Sequence, residues 1–321
     1  MKRKPSEFAV NSFASMMSVL QYDDLDMIAS QNIFNEDYPC HIYMICRRPR
    51  VIVLPEMYQS VDDSLLFTFN IQKKDGFEKR EVKVNNPFGT DQALIETNYP
   101  YNTFVLKCKG DEIKIKSASL LQNFPRHHFE GDFLDLEVLY IGQSYGIDGA
   151  RTAPERLKKH ETLQAIYAEA LQKNPDQEIW LLLLSFEQIG ISMFDGRTKF
   201  SEDEIEKDKP RAFEFFKTFS NGGITEQQFI NFTEAALIRY FRPPFNKEYK
   251  DTFPNPAHKT YKECYDLDIN SVCFELGTMD SVNIMIYSDQ IEKCPIHFGN
   301  FLLHSKEERV SMFDFSNFYK S

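Results

Sequence analysis

Residues 179 to 184 read IWLLLL, and this run limits the fold more than any other stretch. Six consecutive apolar side chains do not alternate, so a strand through EIWLLLLSF has to be covered on both faces, inside a sheet with a layer above and a layer below. The run falls far short of the roughly 20 residues that cross a bilayer as a helix, so no membrane partner is expected.

The segments around it alternate in type. FLDLEVLYIG, ending at Gly142, reads as a strand. TAPERLKKHETLQAIYAEALQKNP follows as a helix, with Pro154 in its first turn, Leu157, Leu163, Ile166, Ala170 and Leu171 at three- and four-residue steps, and a stop at Pro175. After the apolar strand, the charged connector KFSEDEIEKDKPRAFEFFK reads as partly helical and exposed. NGGITEQQFINFTEAALIRYFRPPFN then gives a turn, a capping box of Thr225 with Gln228, and a helix halted by Pro243 and Pro244.

On either side the texture differs. Residues 7 to about 30 read as one or two short helices, with Phe8, Phe13, Met16, Met17 and Leu20 near helical spacing. From 39 to 121 the chain breaks into short β-branched or aromatic segments (HIYMICRR, RVIVLPEM, LLFTFNIQ, TFVLKCKG) separated by turn signals such as KKDG and KCKGDE. After 253, SVCFELGT, SVNIMIYS and NFLLHS read as strands that form a small module of their own or complete the N-terminal sheet. The expected class is α+β in three parts: residues 1–125, a helical N-terminus plus a mostly β module; 126–252, a central α/β core; and 253–321, a β-rich extension.

Forty-two per cent hydrophobic and 26 per cent charged residues belong to a soluble globular protein. A formal charge of −11 excludes a protein that coats nucleic acid through its overall field. Any polyanion site must be local, as at Arg47, Arg48 and Arg50 or at Arg156, Lys158 and Lys159. Six cysteines without a CxxC pair fit reduced thiols in a cytoplasmic compartment, and MKRKPSEFAVNSFASMM lacks the apolar core of a secretory signal.

Two helices carry polar residues where apolar ones are expected. Glu234 has Ile230 one turn before it and Leu237 and Ile238 one turn after. A carboxylate there must be paired, sit at a cleft edge, or hold a cation. Arg156 and His160 are four apart and so share a side of their helix, a guanidinium fork beside an imidazole that can exchange a proton near neutrality.

The ordered set LYIGQS (139–144), RLKKH (156–160) and EAALIRYFRPPFN (234–246) resembles the GIY-YIG nuclease superfamily, over roughly residues 126–252. The resemblance implies a β-β-α-β-α core that hydrolyses nucleic-acid phosphodiesters with one divalent cation, Mg²⁺ or Mn²⁺. It implies that Tyr140 and Gly142 are the YIG element, Arg156 steadies the phosphate, His160 stands near the nucleophile, Glu234 is the metal ligand, and Asn246 fixes the shape of the site. Arg151, in the enlarged loop after the YIG strand, is a rival for the arginine role, and Lys159 is a further substrate contact. The first motif departs from the family pattern. Ten or eleven residues before Tyr140 stands HHF, with Phe129 in place of a tyrosine, so either an upstream strand contributes, where Tyr99 or Tyr101 would serve, or His127 takes over proton removal. The expected activity is a metal-dependent endonuclease, on DNA rather than RNA, in restriction or defence against foreign DNA, with the flanking β modules serving target selection, self-association or a protein partner. The alternative is a degenerate fold of the same type that binds nucleic acid or protein without cutting.

Overall fold

A computed structural model describes residues 3–128, 133–144, 157, 161–258 and 261–314. The apolar run lies where its composition requires. It belongs to an 18-residue strand that is interior to a seven-stranded sheet ordered β13-β10-β2-β11-β1-β12-β14. The strands are β1 (Ser6–Leu20), β2 (Ile42–Pro49), β10 (Leu136–Gln143), β11 (Gln177–Phe194), β12 (Ser271–Gly277), β13 (Ile286–Tyr287) and β14 (Ile296–Leu302). Strand β2 runs antiparallel to both β10 and β11, β11 runs antiparallel to β1, and β12 lies parallel to β1.

Both faces of the sheet are covered, and the side chains divide by strand parity. Ile42, Met44 and Cys46 of β2, with Trp180, Leu182 and Leu184 of β11, face one apolar layer. Tyr43 and Ile45, with Ile179, Leu181 and Leu183, face the other. Helix α5 (Glu226–Phe241) covers the first face through Phe229, Ile230, Phe232, Leu237 and Phe241. Helix α1 (Leu25–Ser30) and helix α3 (Glu161–Lys173) cover the second through Leu25, Ile28, Leu163 and Ile166. The consecutive leucines of β11 thus serve two cores at once, which explains why their sequence shows no alternation. Both expected helix stops are observed. Helix α3 ends at Lys173, and Arg242 closes α5 in a left-handed conformation before Pro243 and Pro244.

Between β2 and β10 the chain leaves the sheet for residues 50–135 and builds two small antiparallel sheets. One contains β3 (Val51–Val53), β4 (Gln59–Val61), β5 (Ser64–Lys73) and β6 (Gly76–Asn85). The other contains β7 (Leu94–Thr97), β8 (Thr103–Cys108) and β9 (Asp111–Lys116), and helix α2 (Ser117–Gln122) leads back. Phe67, Phe69 and Phe104 pack ring to ring and join the two sheets. At the β8–β9 hairpin Lys109 and Gly110 both have positive φ, the two-residue geometry that the CKGD turn signal implies.

The expected helices over residues 7–20 are corrected. That segment is one 15-residue strand, β1, flanked by β11 and β12. Its first seven residues are buried regardless of parity, so a double-sided strand produces apolar positions at many spacings and imitates a helical stripe. The late strands, left open by sequence, join this same sheet through the β1–β12 pair. The charged connector forms helix α4 (Glu202–Ser220), capped by Ser201 and Glu204 in a reciprocal box. The box expected of Thr225 and Gln228 does not form. Instead the Thr225 amide and hydroxyl donate to Glu263 Oε2, and Gln228 Oε1 accepts from the Glu263 amide, so the start of α5 is tied to helix α6 (Lys262–Asp266).

Among the described residues no helix is long and apolar enough to cross a membrane. All six cysteines are free thiols, five of them buried.

Candidate functional site

Strand β10 carries LYIGQ, and its geometry is set by its neighbours on two sides. On one side it pairs with β2, in the register Tyr140↔Ile45, Ile141↔Met44, Gly142↔Tyr43 and Gln143↔Ile42, after a bulge at Leu139. On the other side β13 reaches only Leu136 and Glu137. The last half of β10 would be an open edge, and the segment after the Pro-Pro break fills it. The Phe245 amide donates to the Leu139 carbonyl at 3.1 Å. Asn246 then does the work of a neighbouring strand: its Oδ1 accepts from the Ile141 amide at 2.9 Å, and its Nδ2 donates to the Ile141 carbonyl at 2.8 Å. Asn246 is buried, so these bonds form away from water.

The bulge and the register decide which side chains meet. Tyr140 and Tyr43 both pack into the layer beneath α3, with ring centroids 6.3 Å apart. Gly142 lies between them. A Cβ there would stand 2.6 Å from Tyr43 Oη and 2.7 Å from Tyr140 Cε1, so only glycine lets the two phenols approach across the strand.

Gln143, at the end of β10, turns to the opposite face and meets α5. Its Nε2 donates to Glu234 Oε2 at 2.8 Å and to Asn231 Oδ1 at 2.9 Å. Asn231 and Glu234 are three apart on α5 and so share one side of it. Glu234 is thereby half-buried, at the rim of the α5 layer, against a glutamine that stands three residues beyond Tyr140 on the strand. The two tyrosines and the acid occupy opposite faces of the sheet, the phenols toward α3 and Glu234 on the α5 side.

His41 precedes β2 at the same end. Its Nδ1 lies 2.7 Å from the Ser144 carbonyl, and its Nε2 lies 3.6 Å from Glu226 Oε1 in the first turn of α5. His41, Ser144 and Asn246 together hold the ends of β2 and β10 against α5.

Arg151, Arg156, Lys159 and His160 lie outside the described residues. His127 lies not on a strand but in an exposed 3₁₀ turn, Arg126–His128. Arg126 of that turn bonds Asp135, just before β10 begins, so the turn is anchored at the end of the strand remote from Glu234. The reason is chain connectivity. The partner of β10 is β2, so nothing requires the residues immediately before β10 to form a strand. Tyr99 is 83% exposed and Tyr101 is 39% exposed, both on the β7–β8 connection within the inserted module.

Tyr43, which stands opposite Gly142, is a residue the sequence analysis does not single out. Counting backward from Tyr140 passes over it because residues 50–135 separate the two strands.

The oxygens at the rim suit a hard divalent cation by their chemistry. Glu234 supplies a carboxylate and Asn231 an amide oxygen, both directed at one point now taken by the Gln143 amide. No group of three or more His, Cys, Asp or Glu side chains assembles a metal cage among the described residues. In comparisons with known proteins, no family model matched this chain, and neither did any curated protein or any solved structure.

Proposed function

We propose that this protein is a divalent-metal-dependent phosphodiesterase of the GIY-YIG type, acting on nucleic acid and on DNA in preference to RNA. The observation that carries the reading is the pairing of two distant segments. Strand β2, with its His41-Ile42-Tyr43, lies antiparallel to the Tyr140-Ile141-Gly142 strand, so that Tyr43 stands opposite Gly142. Asn246, an expected shape-fixing residue, is bonded to the central residue of that motif, and Glu234 lies within reach of its end.

In this reading Tyr43 and Tyr140 offer phenol oxygens that orient water and take its proton, with His160 assisting. Arg156 holds the non-bridging oxygens as negative charge gathers on them. Glu234 would hold the cation, with Asn231 as a second oxygen donor once Gln143 withdraws its amide. Bound Mg²⁺ or Mn²⁺ supplies Lewis-acid charge at the phosphate.

Two observations favour a second reading, a fold of this type that binds without cutting: Tyr43 is fully buried, and the two tyrosines lie on the face of the sheet opposite to Glu234. The two readings are separated by incubating the purified chain with plasmid DNA and with RNA in Mg²⁺, Mn²⁺ or EDTA. The enzyme reading expects nicking that requires metal and is lost in Glu234→Ala and Arg156→Ala while both variants remain folded. Cleavage in Tyr43→Phe is expected to fall at least a hundredfold. If wild type, Glu234→Ala and Arg156→Ala behave alike, the enzyme reading fails. Retained nucleic-acid binding with no cleavage in any metal selects the second.

A further inference from the structure

A cavity of about 610 Å³ opens at the far end of β2, where the sheet, helix α3 and the inserted module meet. Its walls include Tyr22, Tyr99 and Tyr167, with Arg50, Asn102 and Gln177 between them. The volume lies within the range that takes a nucleotide-sized ligand.

The lining is aromatic on its flanks and polar at intervals. Tyr99 is 83% exposed, with its ring 6.2 Å from that of Tyr101 in a T-shaped pair, so it presents a face to an incoming planar group. Tyr167 comes from α3, and burial pushes its phenol up to about 12, which keeps the hydroxyl protonated as a donor.

Arg50 makes no side-chain hydrogen bond or ion pair among the described residues. Its backbone is fixed between the Asp176 carbonyl and the Gln72 amide. Gln177 Oε1 is buried there without a hydrogen-bond partner. A guanidinium whose one charged neighbour on the cavity wall is Glu178, beside an amide oxygen without a partner, suits a ligand with both acceptors and donors on a planar frame. Asp23 and Glu178 also line the cavity, so its charge is mixed and a bare phosphate is a poor fit. A nucleobase meets each of these demands: π-faces for the tyrosines and an edge of mixed donors and acceptors for Arg50, Asn102 and Gln177.

We infer that this cavity is a nucleobase-binding site, separate from the candidate cleavage site and built from α3, the start of β11 and the inserted β module. The inference rests on the nucleic-acid reading above and adds where a base is recognised. Tyr43 and Arg50 are seven residues apart on and just beyond β2, ~23 Å at strand rise, which is about seven base steps along a strand. Helix α3 borders the cavity through Tyr167 and Ala170, and it also covers the layer that holds Tyr43 and Tyr140. A strand crossing that face can engage both places.

The single tryptophan provides a readout. Trp180 Nε1 donates to Glu178 Oε1 at 2.9 Å, and Glu178 lines the cavity, so occupancy alters the surroundings of the only indole. The full-length chain is titrated with AMP, GMP, CMP and TMP, and with short single-stranded oligonucleotides with and without an abasic position. Trp180 emission and equilibrium dialysis are followed in parallel.

Saturable binding is expected, purines tighter than pyrimidines, and tenfold or more weaker in Tyr99→Ala and in Arg50→Ala. Binding confined to mononucleotides identifies a free-nucleotide ligand. Tighter binding of oligonucleotides, weakened by the abasic position, identifies a base of the strand. The inference is overturned if neither probe binds at millimolar concentration, or if both variants bind as wild type does. Lost mononucleotide binding with metal-dependent cleavage intact sinks the cavity alone. Intact binding with no cleavage in any metal sinks the nuclease reading alone.

Discussion

Replacing Asn246 by alanine removes two hydrogen bonds at one place, and the structure gives their worth. The side chain accepts from the Ile141 amide and donates to the Ile141 carbonyl, at 2.9 and 2.8 Å, and both residues are buried. Alanine leaves an N–H and a C=O at a strand edge with no partner. Each such group costs about 1–3 kcal/mol, so about 2–4 kcal/mol is expected after some relaxation and water entry. That is a large part of the roughly 5–15 kcal/mol that stabilises an ordinary domain. Urea unfolding followed by Trp180 emission measures it. With a slope of about 3 kcal/mol per molar urea, the midpoint should fall by about 1 M. Asn246→Asp retains the acceptor, loses the donor and sets a carboxylate against a carbonyl, so it should be no better than alanine. Hydrogen exchange at the Ile141 amide should speed up in both variants more than exchange in β1. A midpoint within 0.2 M of wild type for Asn246→Ala, or unchanged Ile141 exchange, would refute the claim that this side chain acts as the missing strand.

Three further outcomes test other parts of the structure. Gly142→Ala puts a Cβ against Tyr43 and Tyr140 and should cost about 1–3 kcal/mol through overpacking, seen as a lower thermal midpoint; a neutral result would mean the phenols are not where the register places them. Arg48 is buried with its guanidinium 3.6 Å over the Trp180 ring, and burial lowers its pKa to about 10 while Glu178, itself buried, is raised by desolvation. Arg48→Met should cost about 3–5 kcal/mol by removing the larger of the two cationic influences on buried Glu178 and leaving only Arg50, Glu178→Gln should cost less, and the double variant should recover part of the loss in a double-mutant cycle. Asp268 binds Lys4, Arg211 and Arg309 and joins β1, α4 and the C-terminal segment. Burial alone would raise its pKa, but hydrogen bonds from His304 and Lys4 and the charge of Arg309 hold it well below the usual carboxylate range. Its stabilisation is therefore present above about pH 4, the unfolded value, and is lost as pH falls through the folded one. Wild type and Asp268→Asn should differ in unfolding midpoint at pH 6 and converge toward pH 2, and a difference that persists unchanged at pH 2 would contradict this.

The elements that were legible share a physical feature, a constraint local in the chain. Helix α5 was readable from its period and its Pro-Pro stop, β11 from an apolar run too dense for one face, and the β8–β9 turn from Lys-Gly. Glu234 was conspicuous because a carboxylate among apolar helical neighbours demands an explanation wherever the helix packs, and it was found half-buried against Gln143. Asn246 could be singled out by its position after the break, though not the two bonds that give it a role.

What failed was whatever depended on pairing. Residues 7–20 imitate a helix because their partners on both sides lie far off in the chain, at 181–194 and 271–275. Thr225 and Gln228 have the spacing of a cap, but Glu263 arrives from outside and takes both. The amino-acid order of this protein therefore determined its α+β class, its doubly covered central strand, and the helix and strand that bear Glu234 and Tyr140. Tertiary structure alone decided that Tyr43 lies across from Gly142 and that His127 does not. Backbone hydrogen bonding between strands carries no record of sequence separation, and an insertion of residues 50–135 leaves the pairing of β2 with β10 intact while hiding it from any count along the chain.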